Sequence, residues 1–209
     1  KKEDCDSVVC AFDMDRDCLM TNEERRAFLE DKVDYLIEIP FTREMMEMEA
    51  EKFIDEILYK KLHASHIVVG TDFNFGHEKR GNHQMLEKYA AKYGYTVDVV
   101  EKAYYKDREI SSTYIRELLL DGNVPLANEL LGYPYEITSV VEHGQQLGRT
   151  LGFPTMNLAP QGKKILPKYG VYACRVLVDG VWYGGVGNAG VKPTVAQEKR
   201  RLFEVYVYG

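Results

Sequence analysis

Along residues 1–131, short apolar runs alternate with stretches in which apolar positions recur every three to four residues. Residues 7–12 read as a strand, and Thr21-Asn22-Glu23-Glu24 forms a capping box that opens a charged helix through about Asp31. Residues 33–39 read as a second strand, which Pro40 stops. A long helix is predicted from there to Leu62, with Ala50, Phe53, Ile54, Ile57 and Leu58 on one face. Residues 66–70 and 96–100 read as further strands, with a helix over 84–93 between them. This alternation predicts a parallel sheet covered by helices, which receives ligands at the carboxyl ends of its strands.

After Leu131-Gly132-Tyr133-Pro134 the pattern changes. Helical spacing disappears, and strands at residues 135–142, 171–178, 181–186 and 202–208 are separated by Gly, Pro and Asn. Asp179-Gly180 joins two of them as a two-residue hairpin signal of type I′. The expectation is an α/β domain over residues 1–131 and a small antiparallel β-barrel or sandwich over 132–209. The last apolar strand runs straight into Gly209 and would leave an open edge, so the chain is expected to continue.

Composition narrows the function classes. The 209 residues are 45% hydrophobic, enough for a sizeable core. Lys and Arg number 27 against 33 Asp and Glu, and the net charge of −6 argues against nucleic acid or an anionic membrane as partner. No apolar run approaches the roughly 20 residues that span a bilayer. Cys5, Cys10, Cys18 and Cys174 form no CxxC pair and, with the five histidines, no repeated metal-ligand spacing. They read as reduced thiols of a cytoplasmic protein.

Four stretches could carry chemistry. In residues 110–116 (ISSTYIR), hydroxyl residues open a helix whose first-turn N–H groups attract anions, and Arg116 lies three residues beyond Thr113 on the same face. The same segment also reads as a plain N-cap with an exposed arginine. Residues 70–76 (GTDFNFG) form a glycine-bounded polar loop leaving a buried strand, where such sheets bind ligands or simply turn. In residues 144–157, Gly144, Gly148 and Gly152 permit close backbone approach to a phosphate, and Arg149 adds charge. Thr155 and Asn157 are two apart, so on an extended segment both point one way and could hold Mg²⁺ beside phosphate oxygens, or fix a barrel turn. Glu204 alternates with Phe203 and Val205 and shares its face with Tyr206 and Tyr208. There it is either a desolvated general base or a solvent-facing acid.

Two motifs are set aside. Residues 185–190 match GxGxxG, but Pro193 follows and no helix opens there. His63-Ala64-Ser65-His66 looks like a nucleotidyltransferase histidine pair, yet it enters a strand instead of leaving one and lacks the glycine.

Taken together, VGTDFNFG (69–76), ISSTYIR (110–116), GRTLGFPTMN (148–157) and GNAGVKPT (187–194) resemble the bacterial bifunctional riboflavin kinase and FAD synthetase family, in its order and over nearly the whole chain. The resemblance implies a Rossmann-like nucleotidyltransferase domain that adenylylates FMN, then a Greek-key β-barrel that phosphorylates riboflavin, both using ATP and Mg²⁺. It implies that Thr155 and Asn157 bind magnesium and nucleotide phosphates, and that Glu204 accepts the proton of the riboflavin 5′-hydroxyl. Gly148, Arg149 and Gly152 would form a flap over the nucleotide. Ser112, Thr113 and Arg116 would hold ATP phosphates, with Asp72 in the loop lining the adenylyl-transfer site.

The family's HxGH motif, placed just after its first strand, has no counterpart here, and residues 11–15 depart abruptly from the family's phenylalanine-aspartate-histidine-proline pattern. The expectation is that residues of the first module and the last strands and helix of the barrel lie outside this sequence. The competing readings are a riboflavin kinase with an inactive nucleotide-binding appendage, and a non-catalytic flavin or nucleotide sensor. A pyridine-nucleotide or pantetheine adenylyltransferase would leave the second half without a task. The sequence leaves self-association open.

Overall fold

The computed structural model describes residues 5–13, 17–142, 155–160, 162–193 and 199–208. The chain divides into two compact units, Lys1–Asp15 with Phe28–Glu109 and Arg16–Ala27 with Ile110–Gly209. An α/β region is thus followed by an antiparallel β region, as the sequence pattern predicts.

In the first part of the chain, β1 (Val8–Asp13) precedes α1 (Asn22–Leu29), and β1 pairs in parallel with β2 (Tyr35–Pro40). The predicted single helix that follows is broken. α2 (Arg43–Glu47) is capped by Thr42 and ends at Met48, and Met48 and Glu49 are extended before α3 (Ala50–Lys52) begins. A distant contact causes the break. Met48 O, turned out of the helix, accepts the His77 N–H at 2.7 Å. Gly76, at φ +74°, lies so close that a Cβ there would sit 2.6 Å from Ala50 Cα. Beyond α3 the helical bonds widen to the i→i+5 spacing over Phe53–Lys61. Phe53, Ile54 and Ile57 are still buried, so the predicted apolar face survives the change of pitch.

β3 (His66–Gly70) leads through the two-residue pair β4 (Asn74–Phe75) and β5 (Gly81–Asn82) to α4 (His83–Tyr93), then to β6 (Thr96–Val100). β3 and β6 are parallel neighbours, as expected for a βαβ crossover. Leu86 of α4 and Ile54 are fully buried in this core, each contributing roughly 1.5–3 kcal/mol. Two short strands, β7 (Tyr104–Tyr105) and β8 (Arg108–Glu109), close the unit as a hairpin.

The second unit starts its C-terminal part with α5 (Ser112–Asp121) and α6 (Val124–Leu131), each ended by a left-handed glycine, Gly122 and Gly132. The sheet comprises β9 (Val141–Glu142), β10 (Thr155–Leu158), β11 (Gly170–Val178), β12 (Val181–Pro193) and β13 (Lys199–Val207). Its order is β11-β12-β13-β10-β9, all antiparallel, which gives β10–β13 Greek-key connectivity. The Asp179-Gly180 turn has both residues at positive φ, as type I′ requires. Phe203, Val205 and Ala189 face a core with Leu166. The strand predicted over 135–142 shrinks to Val141–Glu142. Upstream of it the Thr138 N–H donates to a side chain instead, Glu24 Oε1 at 2.8 Å, and the Ser139 hydroxyl donates to Ala159 O at 2.7 Å.

That Glu24 contact reveals a buried clasp inside the second unit. The capping box forms as read: Thr21 N–H bonds Glu24 Oε2 at 2.9 Å and Glu24 N–H bonds Thr21 Oγ1 at 3.2 Å. Lys164 then donates to Glu24 Oε2 at 2.6 Å and to Leu19 O at 2.7 Å, and lies 4.3 Å from the Tyr135 ring centre. The two charged side chains are 2% and 4% exposed. Burial holds the Lys164 pKa below its ordinary value, against the pull of Glu24. Among the described residues, no helix is long and apolar enough to cross a membrane.

Candidate functional site

Strand register assembles the first group of residues. Asn157 on β10 stands directly opposite Glu204 on β13, and Thr155 opposite Tyr206. Glu204 is also opposite Asn188 on β12, and Asn157 opposite Glu142 on β9. One polar row, Glu142, Asn157, Glu204 and Asn188, therefore crosses four strands on the face away from Phe203 and Val205. Neighbours in such a row have Cβ atoms about 5 Å apart. Asn157 is 7% exposed and Glu204 half-buried, so this acid is not a freely solvated surface group. Thr155 is exposed beside it. A hydroxyl and an amide oxygen on one face, next to a carboxylate, are hard donors suited to Mg²⁺ with phosphate. Tyr206 and Tyr208 meet edge to face on the same side, with ring centres 5.6 Å apart. Sequence alternation identified Glu204, Thr155 and Asn157, but Asn188 and Glu142 emerge only from the register. Gly148, Arg149 and Gly152 lie outside the described residues.

A second group opens α5. Ser111 is the N-cap, its hydroxyl accepting the Tyr114 N–H at 3.3 Å, which leaves Ser112 and Thr113 exposed in the first turn. Arg116 donates to Ser112 Oγ at 3.2 Å through Nη1 and to Asp17 O at 3.2 Å through Nε. The guanidinium is thus held along the start of its own helix, where free N–H groups favour an anion.

A third group belongs to the first unit. Asp72 follows the carboxyl end of β3, where Thr71 N–H still reaches Val100 O at 3.2 Å and Phe73 N–H turns back to Gly70 O at 3.0 Å. Its carboxylate is 66% exposed and paired with Lys102, a residue with no motif to mark it. The two motifs set aside behave as read. Gly185, Gly187 and Gly190 lie within β12, the first two paired with both β11 and β13 and Gly190 with β13, not at a strand-to-helix turn. His66 lies in β3 and bonds Thr96 Oγ1 and Asp98 across to β6.

Comparison with known proteins bears on both regions. A family model described as FAD synthetase matches residues 3–114, and one described as riboflavin kinase matches residues 131–209. The bifunctional riboflavin kinase/FMN adenylyltransferase of Escherichia coli (strain K12) is 39% identical over 181 residues, covering 86% of this chain and 58% of that protein. The protein of the same description from Haemophilus influenzae is 38% identical over 192 residues, covering 91% and 62%. That from Listeria monocytogenes is 33% identical over 213 residues, covering 96% and 67%. The chain thus spans less than two thirds of the first two relatives' length. A solved structure titled as a macrolide-efflux protein from Streptococcus pneumoniae superposes with a TM-score of 0.82 at 29% identity, covering 96% of this chain and 68% of that one.

Proposed function

Because the chain belongs to the bifunctional riboflavin kinase/FMN adenylyltransferase family, we propose that it makes flavin cofactors in two ATP-dependent steps, riboflavin to FMN and FMN to FAD. The first step is assigned to the sheet of residues 132–209 and the second to residues 1–131. The observation that carries the kinase reading is the register that seats Glu204 against Asn157, with Thr155 one pleat away on the same face.

In this reading, Glu204 accepts the proton of the riboflavin 5′-hydroxyl as that oxygen bonds the γ-phosphorus of ATP and the bond to the β-phosphate oxygen breaks, releasing ADP. The half-buried setting between two carboxamides fixes the carboxylate, and proton acceptance by a positioned group contributes roughly 10²–10⁴-fold. Thr155 and Asn157 would hold Mg²⁺, which when bound offsets phosphate charge. Gly148, Arg149 and Gly152 would cover the nucleotide. For the second step, the family pattern assigns ATP phosphates to Ser112, Thr113 and Arg116 in the first turn of α5 and, within the first unit, a place in the adenylyl-transfer loop to Asp72. Four free thiols suit a cytoplasmic setting.

Glu204→Gln preserves shape and removes the base. Flavins separated after incubation with riboflavin, ATP and Mg²⁺ are expected to show FMN formation lowered at least 100-fold, with FAD still made from supplied FMN. An unchanged kinase rate rules out the base, and a parent chain producing neither FMN nor FAD overturns the two-step reading.

A further inference from the structure

Lys102 has a part in neither step so far. Its ammonium donates at 2.5 Å to Asp72 Oδ2 and at 2.5 Å to Glu109 Oε1. The lysine is 21% exposed, less than either acid it joins. Three elements converge on this point. Asp72 comes from the carboxyl end of β3, Lys102 from just beyond β6, and Glu109 from the foot of the β7–β8 hairpin opposite Tyr104. Gly70 leaves room for the arrangement, since a Cβ there would come within 3.1 Å of Asp72 Oδ1. The loop is fixed from the other side by Asn74 Nδ2, which donates to Asp72 O at 2.7 Å.

We propose that Lys102 is a positioning residue for adenylyl transfer, holding the Asp72 loop and cancelling one of two negative charges where a nucleoside triphosphate must arrive. The inference deepens the adenylyl-transfer reading and rests on it. The carboxyl ends of parallel strands are where this class of sheet receives nucleotides, and two uncompensated carboxylates there would repel a polyanion. Its hydrogen bonds to Asp72, first, and to Glu109 raise the ammonium's pKa, so it keeps its charge at neutral pH. Ion pairs whose acids are this solvent-exposed contribute little to folding, which leaves ligand binding as their main effect.

The test compares Lys102→Met and Lys102→Arg with the parent chain. FAD binding is followed by flavin fluorescence, FMN adenylylation by chromatography, and riboflavin phosphorylation in the same samples checks the fold. Lys102→Met is expected to weaken FAD binding and to raise KM for ATP in adenylylation at least tenfold, with kcat changed less than threefold. Lys102→Arg should stay within threefold of the parent throughout, and the kinase rate should not change in either variant. Parent-like FAD binding and adenylylation in Lys102→Met overturn the proposal. So does an Arg variant as impaired as Met, or a kinase rate that falls alongside. A parent chain that neither binds nor forms FAD overturns the adenylyl-transfer reading itself, and with it the assigned part for Lys102.

Discussion

Tyr95 shows how one side chain reports on its surroundings. It is 3% exposed, its hydroxyl donates to Leu86 O at 2.8 Å, and burial pushes its pKa up to about 12. In the unfolded chain a tyrosine ionises near 10. Between those values the unfolded state has lost a proton that the native state keeps, so stability falls as pH rises from 10 through about 12. Tyr95→Phe should cost about 1 kcal/mol at neutral pH from the lost hydrogen bond, yet decline less steeply above pH 10. Urea midpoints measured from pH 7 to 11 check this, and parallel slopes would refute it. At this scale, the sequence reveals what depends on near neighbours. The Thr21–Glu24 box and the shared face of Thr155 and Asn157 follow from spacings of three and two residues. Lys102 was invisible because its partners lie 30 and 7 positions away with no periodicity to link them.

Strands were more legible than helices. Alternation holds over Phe203–Val205, where Phe203 and Val205 turn inward and Glu204 outward, although Leu202 is buried as well, so the sequence pattern alone assigns the proposed base to a face. The helix expected through Leu62 failed at Met48 because a loop contact from Gly76 and His77 outweighed local propensity, and nothing within the segment announces that contact. The glycine run of β12 has a packing cause. A side chain at Gly187 would overlap the Phe203 ring that lies across it. Gly187→Ala should therefore cost about 1–3 kcal/mol through overpacking. Since Phe203 adjoins Glu204, the kinase rate should fall as well. Thermal unfolding and FMN formation measured together test this, and a variant with parent-like stability and rate would show that the sheet yields there without consequence.

At the level of the whole chain, the two units are not simple halves, because Arg16–Ala27 belongs with the C-terminal residues. A fragment of residues 110–209 keeps Lys164 but loses Glu24 and Leu19 O. Stripping one partner from a buried pair costs roughly 3–5 kcal/mol. Trp182, the one tryptophan of the sequence, reports on this unit alone. Its fluorescence should show the fragment unfolding at lower urea than the intact chain, with Lys164→Met recovering part of the loss. Equal midpoints would mean the clasp is energetically idle. Because the acid and the amine are separated by 140 positions, the clasp also sets a schedule for synthesis. On a ribosome adding 5–20 residues per second, Glu24 emerges on the order of ten seconds before the lysine that neutralises it. Throughout that interval the carboxylate lacks its buried partner, so the final locking of this region waits on synthesis well past its own codons.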